Sequence, residues 1–301
     1  MSADAKRAGD RGEPHVYCVV LNWNGWRDTV SCLQSLAAQD YASLTTVVVD
    51  NASTDDSVAK ICEAFPEIEL LQSDENRGFA AGCNLGIRHA LRHRPAFVWL
   101  LNNDTVAPPD TTRKLVAAAD GAKVGVVGSV LRYLKNPAKI QAWGGGSVRR
   151  WMGFVRHYHS PAKLGPTSFM TFASVLLRRE MLESVGLLDE GYFMYFEDAD
   201  FCYRATEAGW ELAVAEDTNV LHREGGSAGS AKSARIDRIV TASGLRFLDH
   251  YGRPRSVAKV LFVLSRLGKR AMLGNLVRMK AVRRGMRDWR YKEPMSFMEE
   301  G

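Results

Sequence analysis

The chain has 301 residues, 46% of them hydrophobic, which is enough for one large α/β domain or two small ones around a sizeable core. Its five cysteines are odd in number and contain no Cys-x-x-Cys pair, which argues against a disulfide framework or thiolate metal site and fits a reducing compartment. The formal charge of +6 is uneven: residues 246–301 hold 14 Lys and Arg against 5 Asp and Glu, whereas residues 1–245 hold 26 against 29, so a basic tail follows a slightly acidic body.

Residues 1–14 are polar and charged with no apolar stretch, and read as a disordered tail rather than a secretion signal. A buried strand is predicted over 16–21, a helix over 29–38, a strand over 45–49 ending at Asp50, and a helix over 57–64. A strand over 68–71, a helix over 79–92 and a strand over 97–101 follow. Apolar strands alternating with helices predict a largely parallel sheet covered on both faces, with ligands beyond the carboxyl ends of its strands. Asn22-Trp23-Asn24, Asp50-Asn51 and Asn102-Asn103-Asp104 all fall at such ends.

The second half is less regular. A strand is expected over 124–130, a turn or flexible loop at Trp143-Gly144-Gly145-Gly146, a strand over 170–177, and a helix over 200–208 stopped by Gly209. From Ser243 onward the pattern is helical and basic. The expected division is a tail over 1–14, a catalytic domain over 15–242 and a basic helical tail over 243–301. No run of 18 apolar residues occurs, so no membrane-spanning helix is expected, and the cytoplasm is the expected location.

Six clusters carry chemistry. Asn22 and Asn24 flank an indole that can stack on a nucleobase, although for this cluster taken alone a polar turn is the favoured reading. Asp50 can accept from a pyrimidine imide or a ribose hydroxyl, while Asp55 and Asp56 are assigned to capping the next helix. Asn76, Gly78 and Asn84 belong to a run of small residues whose helix can approach the sheet closely and face phosphate with its first amides, with a plain packing helix as the alternative. Asn103 and Asp104 end a central strand, where a carboxylate suits a divalent cation shared with substrate phosphates. Glu197, Asp198 and Asp200 open a helix whose N-terminus favours their anions, and an ionised Asp198 can take a proton from an alcohol. Asp200 is assigned an i,i+4 pair with Arg204. His222 follows a short apolar strand and can join Asp104 at a metal.

Together these residues resemble the family 2 inverting glycosyltransferases of GT-A fold over residues 16–227. The ordered set is a strand plus Asn-x-Asn, Val-Asp-Asn-x-Ser-x-Asp, Asn-x-Gly-x-x-x-Gly-x-Asn, Asn-Asn-Asp, Glu-Asp-x-Asp and His-x-x-Gly-x-Ser. Within that family the chain is most similar to bacterial rhamnosyltransferases, which use dTDP-L-rhamnose, with UDP sugars as the alternative donors. The resemblance implies that Asp50 contacts the base, that Asp104 and His222 hold Mg²⁺ or Mn²⁺, that Asp198 is the base and that Glu197 orients substrate. Asn102 stands where the family often has a first aspartate, which leaves fewer anionic ligands. The implied acceptor is a glycan or polyprenyl-diphosphate-linked precursor.

The tail reads as an amphipathic helix over 256–284. Val257, Val260, Leu261, Leu264 and Leu267 form its stripe, with Lys259, Arg266, Lys269 and Arg270 on the flanks. It can lie on an anionic membrane, apolar face down, which would make the protein peripheral at the inner face of the cell membrane. Packing on the catalytic domain or in a homodimer is the alternative. Nucleic acid is disfavoured because the polar clusters lie on the acidic body. A nucleotidyltransferase would carry a basic Gly-rich loop after the first strand. A non-catalytic sensor would lack Asp198.

Overall fold

The computed structural model describes residues 12–223 and 233–291. Residues 1–11 of the expected tail, and Gly225 and Ser227 of the His-x-x-Gly-x-Ser motif, lie outside the described residues. The first half alternates β1 (Val16–Asn22), α1 (Trp26–Ala37), β2 (Leu44–Asp50), α2 (Ser57–Ala64), β3 (Glu69–Gln72), α3 (Phe79–Arg92) and β4 (Phe97–Asn102). Then come β5 (Thr105–Val106), α4 (Thr111–Ala118), β6 (Val124–Tyr133), β7 (Asn136–Trp143), β8 (Gly145–Arg149), β9 (Phe154–His157), β10 (Ser168–Met170), β11 (Ser174–Arg178) and α5 (Arg179–Val185). The chain ends in α6 (Glu197–Glu207), β12 (Glu211–His222), α7 (Ala234–Tyr251), α8 (Arg255–Met272) and α9 (Leu276–Tyr291).

The main sheet has the order β3-β2-β1-β4-β11-β6-β12-β5, with β7 on β6. β3, β2, β1 and β4 are mutually parallel, β12 is parallel to β6, and β11 runs antiparallel between β4 and β6. This is the GT-A arrangement, a mixed central sheet with helices on both sides. The strands are apolar at nearly every position because both faces are covered: Tyr17 and Val19 enter one core, and Val16, Cys18 and Val20 enter the other.

Three local expectations change. The glycine run after Trp143 is ordered: Gly144, at φ +71°, turns the chain from β7 into β8, which joins β9 and β10 in a second small sheet. The strand expected over 170–177 is two strands broken at residues 171–173. The division expected at residues 242 and 243 falls inside α7.

The C-terminal helices pack on the body. Arg246 of α7 holds Asp189 at 2.7 Å, and Ser243 Oγ donates to the Met194 carbonyl at 2.8 Å. Phe262 of α8 fits against Gly244, where a Cβ would come within 2.3 Å of its ring. The expected stripe lies beside this contact rather than in it. Val257, Val260 and Leu264 stay exposed, Leu264 at 58%, and Leu261 and Leu267 are half-buried, while the residues that pack, Ala258 and Phe262, lie outside the stripe. The flanking cations also differ from expectation. Arg266 and Arg270 turn inward to the buried Asp237, and Lys259 pairs with Asp249 at 2.6 Å. A buried carboxylate draws the nearest guanidinium groups, because leaving it unpaired costs several kcal/mol. No helix among the described residues is long and apolar enough to cross a membrane.

Candidate active site

A cavity of about 860 Å³ opens beyond the carboxyl ends of β1, β2 and β4 and runs to α6, β12 and α8. Of the residues singled out from sequence, Asn76, Gly78, Asn103, Asp104, Glu197, Asp198 and His222 line it, and Asn22, Asn24, Asp50 and Asn84 do not.

The four that miss the cavity are committed elsewhere. Asp50 is 2% exposed, and its carboxylate accepts from Asn22 Nδ2 at 2.7 Å, Ser53 N at 2.9 Å and Ser53 Oγ at 2.6 Å. It shapes the loop after β2, and its neighbour Asn51 is the residue that reaches the cavity wall. Asn22 also accepts from Thr29 Oγ1 at 2.8 Å. Asn24, at φ 48°, ties this loop to the one after β1 by accepting from Thr54 N at 2.8 Å. Asn84 turns away, donating to the Leu188 carbonyl at 2.9 Å and accepting from Leu188 N at 3.1 Å. The first amide of α3 does not face phosphate, because Phe79 N donates to the Phe193 carbonyl at 2.7 Å. Gly78 permits that contact: it sits at φ +93°, and a Cβ there would lie 2.1 Å from the Phe193 oxygen.

Asp104 and His222 meet because β5 pairs with the end of β12, placing His222 opposite Thr105. His222 Nε2 lies 3.2 Å from Asp104 Oδ1, and His222 Nδ1 lies 2.6 Å from Gln141 Oε1 on β7. A side-chain amide oxygen only accepts, so Nδ1 carries the proton toward Gln141. In the neutral ring this leaves the Nε2 lone pair facing a carboxylate. Two acceptors at that distance call for a positive charge between them, supplied by a proton or by a metal ion. One carboxylate and one imidazole, oriented by an outer amide, fit a divalent cation that keeps positions open for phosphate and water. Asn103, beside this pair, donates to Thr29 Oγ1 at 3.0 Å. Gln141 left no signal in the sequence, because its role depends on a strand pairing.

Across the cavity, Glu197 and Asp198 begin α6. The turn before them is strained: Tyr195 and Phe196 take φ of 70° and 69°, in the left-handed region that costs non-glycine residues about 1–3 kcal/mol. Phe196 is held there by Phe247 and Phe262, at ring separations of 5.3 and 6.4 Å. Asp198 Oδ1 accepts from the Ala199 amide at 2.8 Å, and Glu197 Oε2 is buried without a hydrogen-bond partner among the described residues. Burial pushes the Asp198 carboxyl up to about 7, with backbone amides opposing it. Burial, and then the neighbouring Asp198 charge, push Glu197 well above the usual range. Asp200 plays the helix role expected of it, pairing with Arg204 at 2.9 Å.

A different cluster lies on the other edge of the sheet, where Glu69, His89 and His93 bring ligand atoms within 4.8 Å of one another. There Glu69 accepts from Tyr17 at 2.5 Å and pairs with His89 at 2.7 Å, so hydrogen bonding accounts for the grouping.

The family profile described as glycosyltransferase like family 2 matches residues 14–237, three quarters of the chain. The chain belongs to this family. A low-salt glycan biosynthesis hexosyltransferase, Agl10, of Haloferax volcanii is 25% identical over 183 residues, covering 59% of this chain and 58% of its own. The chain thus spans less than two thirds of that relative. An N-acetylglucosaminyl-diphospho-decaprenol L-rhamnosyltransferase of Mycobacterium tuberculosis is 25% identical over 228 residues, covering 68% of this chain and 74% of its own. Among solved structures, mannosyltransferase PcManGT of Pyrobaculum calidifontis, in complex with GDP-Man and Mn²⁺, superposes with a TM-score of 0.58 at 18% identity, covering 97% of this chain and 82% of that one.

For this glycosyltransferase the raised Asp198 carboxyl makes a pH prediction. A carboxylate serving as base works only when ionised, so with Asp198 in that role kcat/KM is expected to rise about tenfold per pH unit below about 7 and to level off above it. A profile flat from pH 5 to 8 would remove Asp198 from the role of base.

Proposed function

We propose that this glycosyltransferase moves L-rhamnose from dTDP-L-rhamnose onto a hydroxyl of a polyprenyl-diphosphate-linked glycan precursor at a membrane surface, inverting the anomeric centre. The observation that carries the reading is a single cavity lined both by a half-buried carboxylate with raised proton affinity, Asp198, and by a pair suited to a divalent ion, Asp104 and His222. The sugar and the lipid-linked acceptor are supported by the motif likeness to rhamnosyltransferases and by the mycobacterial relative.

In this mechanism ionised Asp198 accepts a hydrogen bond from the acceptor hydroxyl. It takes the proton as that oxygen attacks the anomeric carbon. The bond from the anomeric carbon to the diphosphate oxygen breaks in the same step, its electron pair leaving with the nucleoside diphosphate. Protonated Glu197 donates to a substrate hydroxyl through its unpartnered carboxyl and so orients it. Mg²⁺ or Mn²⁺ held by Asp104 and His222 would neutralise charge developing on the departing diphosphate. Asn76 and Asn103 offer side-chain amides to the donor. The exposed outer face of α8 supports a peripheral position at the inner face of the membrane.

The test is release of nucleoside diphosphate by the purified protein from dTDP-L-rhamnose, UDP sugars and GDP-mannose, each with a short-chain prenyl-diphosphate-linked acceptor. Release from dTDP-L-rhamnose that requires the acceptor is expected. Preference for GDP-mannose would overturn the donor assignment.

A further inference from the structure

The side of α8 that faces the cavity has a graded character. Phe262, Ser265, Arg266, Lys269 and Arg270 follow one another at helical spacing along the cavity wall. Phe262 is buried beside the strained turn that carries Glu197 and Asp198, and the cations come later along the helix. These cations exceed their counter-charge. Asp237 alone receives Arg266 at 2.8 Å, Arg278 at 2.5 Å and Arg270. Burial alone would raise the Asp237 carboxyl, yet the arginines hold it below its ordinary value. Burial, followed by the Arg270 charge, brings Arg266 down to about 10. Lys269 lines the same cavity with no ion pair or hydrogen bond among the described residues.

One turn beyond Lys269 the helix reaches an apolar corner. Met272 is 90% exposed, Leu273 65% and Leu276 69%. At 1.5 Å per residue, Met272 is about 5 Å along the axis from Lys269. Aromatic wall and cations therefore succeed one another along α8, and the exposed apolar corner follows at the turn from the end of α8 (Met272, Leu273) into the start of α9 (Leu276). A molecule with a glycan, a diphosphate and a hydrocarbon chain has the same order. A flat bilayer cannot reach Arg270, which is 9% exposed, so the cavity-facing cations need a headgroup that enters the cavity. The donor diphosphate has its own place at Asp104 and His222, and it has no use for an apolar corner.

We propose that Arg266, Lys269 and Arg270 form the subsite for the diphosphate of a prenyl-diphosphate-linked acceptor, with Met272, Leu273 and Leu276 taking the start of its hydrocarbon chain. The inference rests on the lipid-linked acceptor proposed above and adds the residues that recognise it.

The experiment uses the full chain and its Lys269→Glu and Lys269→Ala variants, with farnesyl diphosphate as probe and farnesol, inorganic pyrophosphate and dTDP as comparisons. Lys269 is exposed and bonded to nothing described, so both variants are expected to melt with the parent. Farnesyl diphosphate is expected to bind the parent more tightly than farnesol or pyrophosphate does, because both halves of the subsite are used. Binding weakens roughly tenfold or more in Lys269→Glu and less in Lys269→Ala, since a charge-assisted bond to phosphate becomes a repulsion. Affinity for dTDP stays the same. Unchanged farnesyl diphosphate affinity in Lys269→Glu overturns the proposal. So does equal loss of dTDP binding, which would give the cations to the donor, or farnesol binding as tightly as its diphosphate. Lys269-dependent diphosphate binding, in a protein whose sugar transfer proves independent of prenyl-linked acceptors, would keep the subsite and discard the acceptor reading instead.

Discussion

Asp198→Asn is expected to lower turnover by ~10² or more while nucleoside diphosphate affinity stays close to that of the parent, because a positioned general base contributes that much and the amide preserves shape. The same variant is expected to melt higher than the parent at pH 8. The Asp198 carboxyl is raised in the fold from its ordinary 3.8 to about 7, so its contribution to stability is complete below about pH 4 and is lost as pH rises through about 7. At pH 8 the parent carries a poorly solvated anion that the amide does not, and at pH 4 the two proteins melt alike. Lost turnover with a gain in melting temperature separates a catalytic defect from a folding defect. Near-normal turnover would take the base away from Asp198.

Asp104→Ala is expected to abolish transfer and to weaken nucleoside diphosphate binding roughly tenfold or more when Mn²⁺ is present, with no change when it is absent. EDTA is expected to silence the parent, and Mg²⁺ or Mn²⁺ to restore it. The reasoning is the 3.2 Å approach of His222 Nε2 to Asp104 Oδ1, with Gln141 orienting the ring from its other nitrogen. Gln141→Leu is expected to weaken metal-dependent binding less than Asp104→Ala does, because it frees the ring to rotate without removing a ligand. Full activity in EDTA would assign Asp104 and His222 to hydrogen bonding alone.

The helices over 57–64 and 79–92 were legible to the residue, because their apolar spacing repeats within a turn, although what the glycines of α3 make room for, Leu21 and Val19 of β1, belongs to the sheet. The acidic opening of α6 was legible in the same way, although that helix begins at Glu197, three residues before the expected start. Less of the site was legible. Asp50 and Asn84 have the same chemistry as Asp104 and Asn103, Asp50 at a strand end and Asn84 within α3. Yet two of the four point into the cavity and two are saturated by Ser53, Asn22 and Leu188.

The difference between sequence and tertiary structure here is one of range. Local order alone determined the alternation of buried strands and helices, the polar clusters at the strand ends, the carboxylate pair at a helix start and the surplus of cations after residue 246. Each depends on residues within a turn or a pleat of one another. Tertiary structure decided which partner each polar group meets. The β5–β12 pairing joined Asp104 to His222, β7 supplied Gln141, and the crossing of α7 with α8 turned Arg266 and Arg270 inward while Lys269 and the apolar corner stayed uncovered. A buried polar atom must be satisfied by whatever lies within about 3 Å, and distant strands and helices decide what that is.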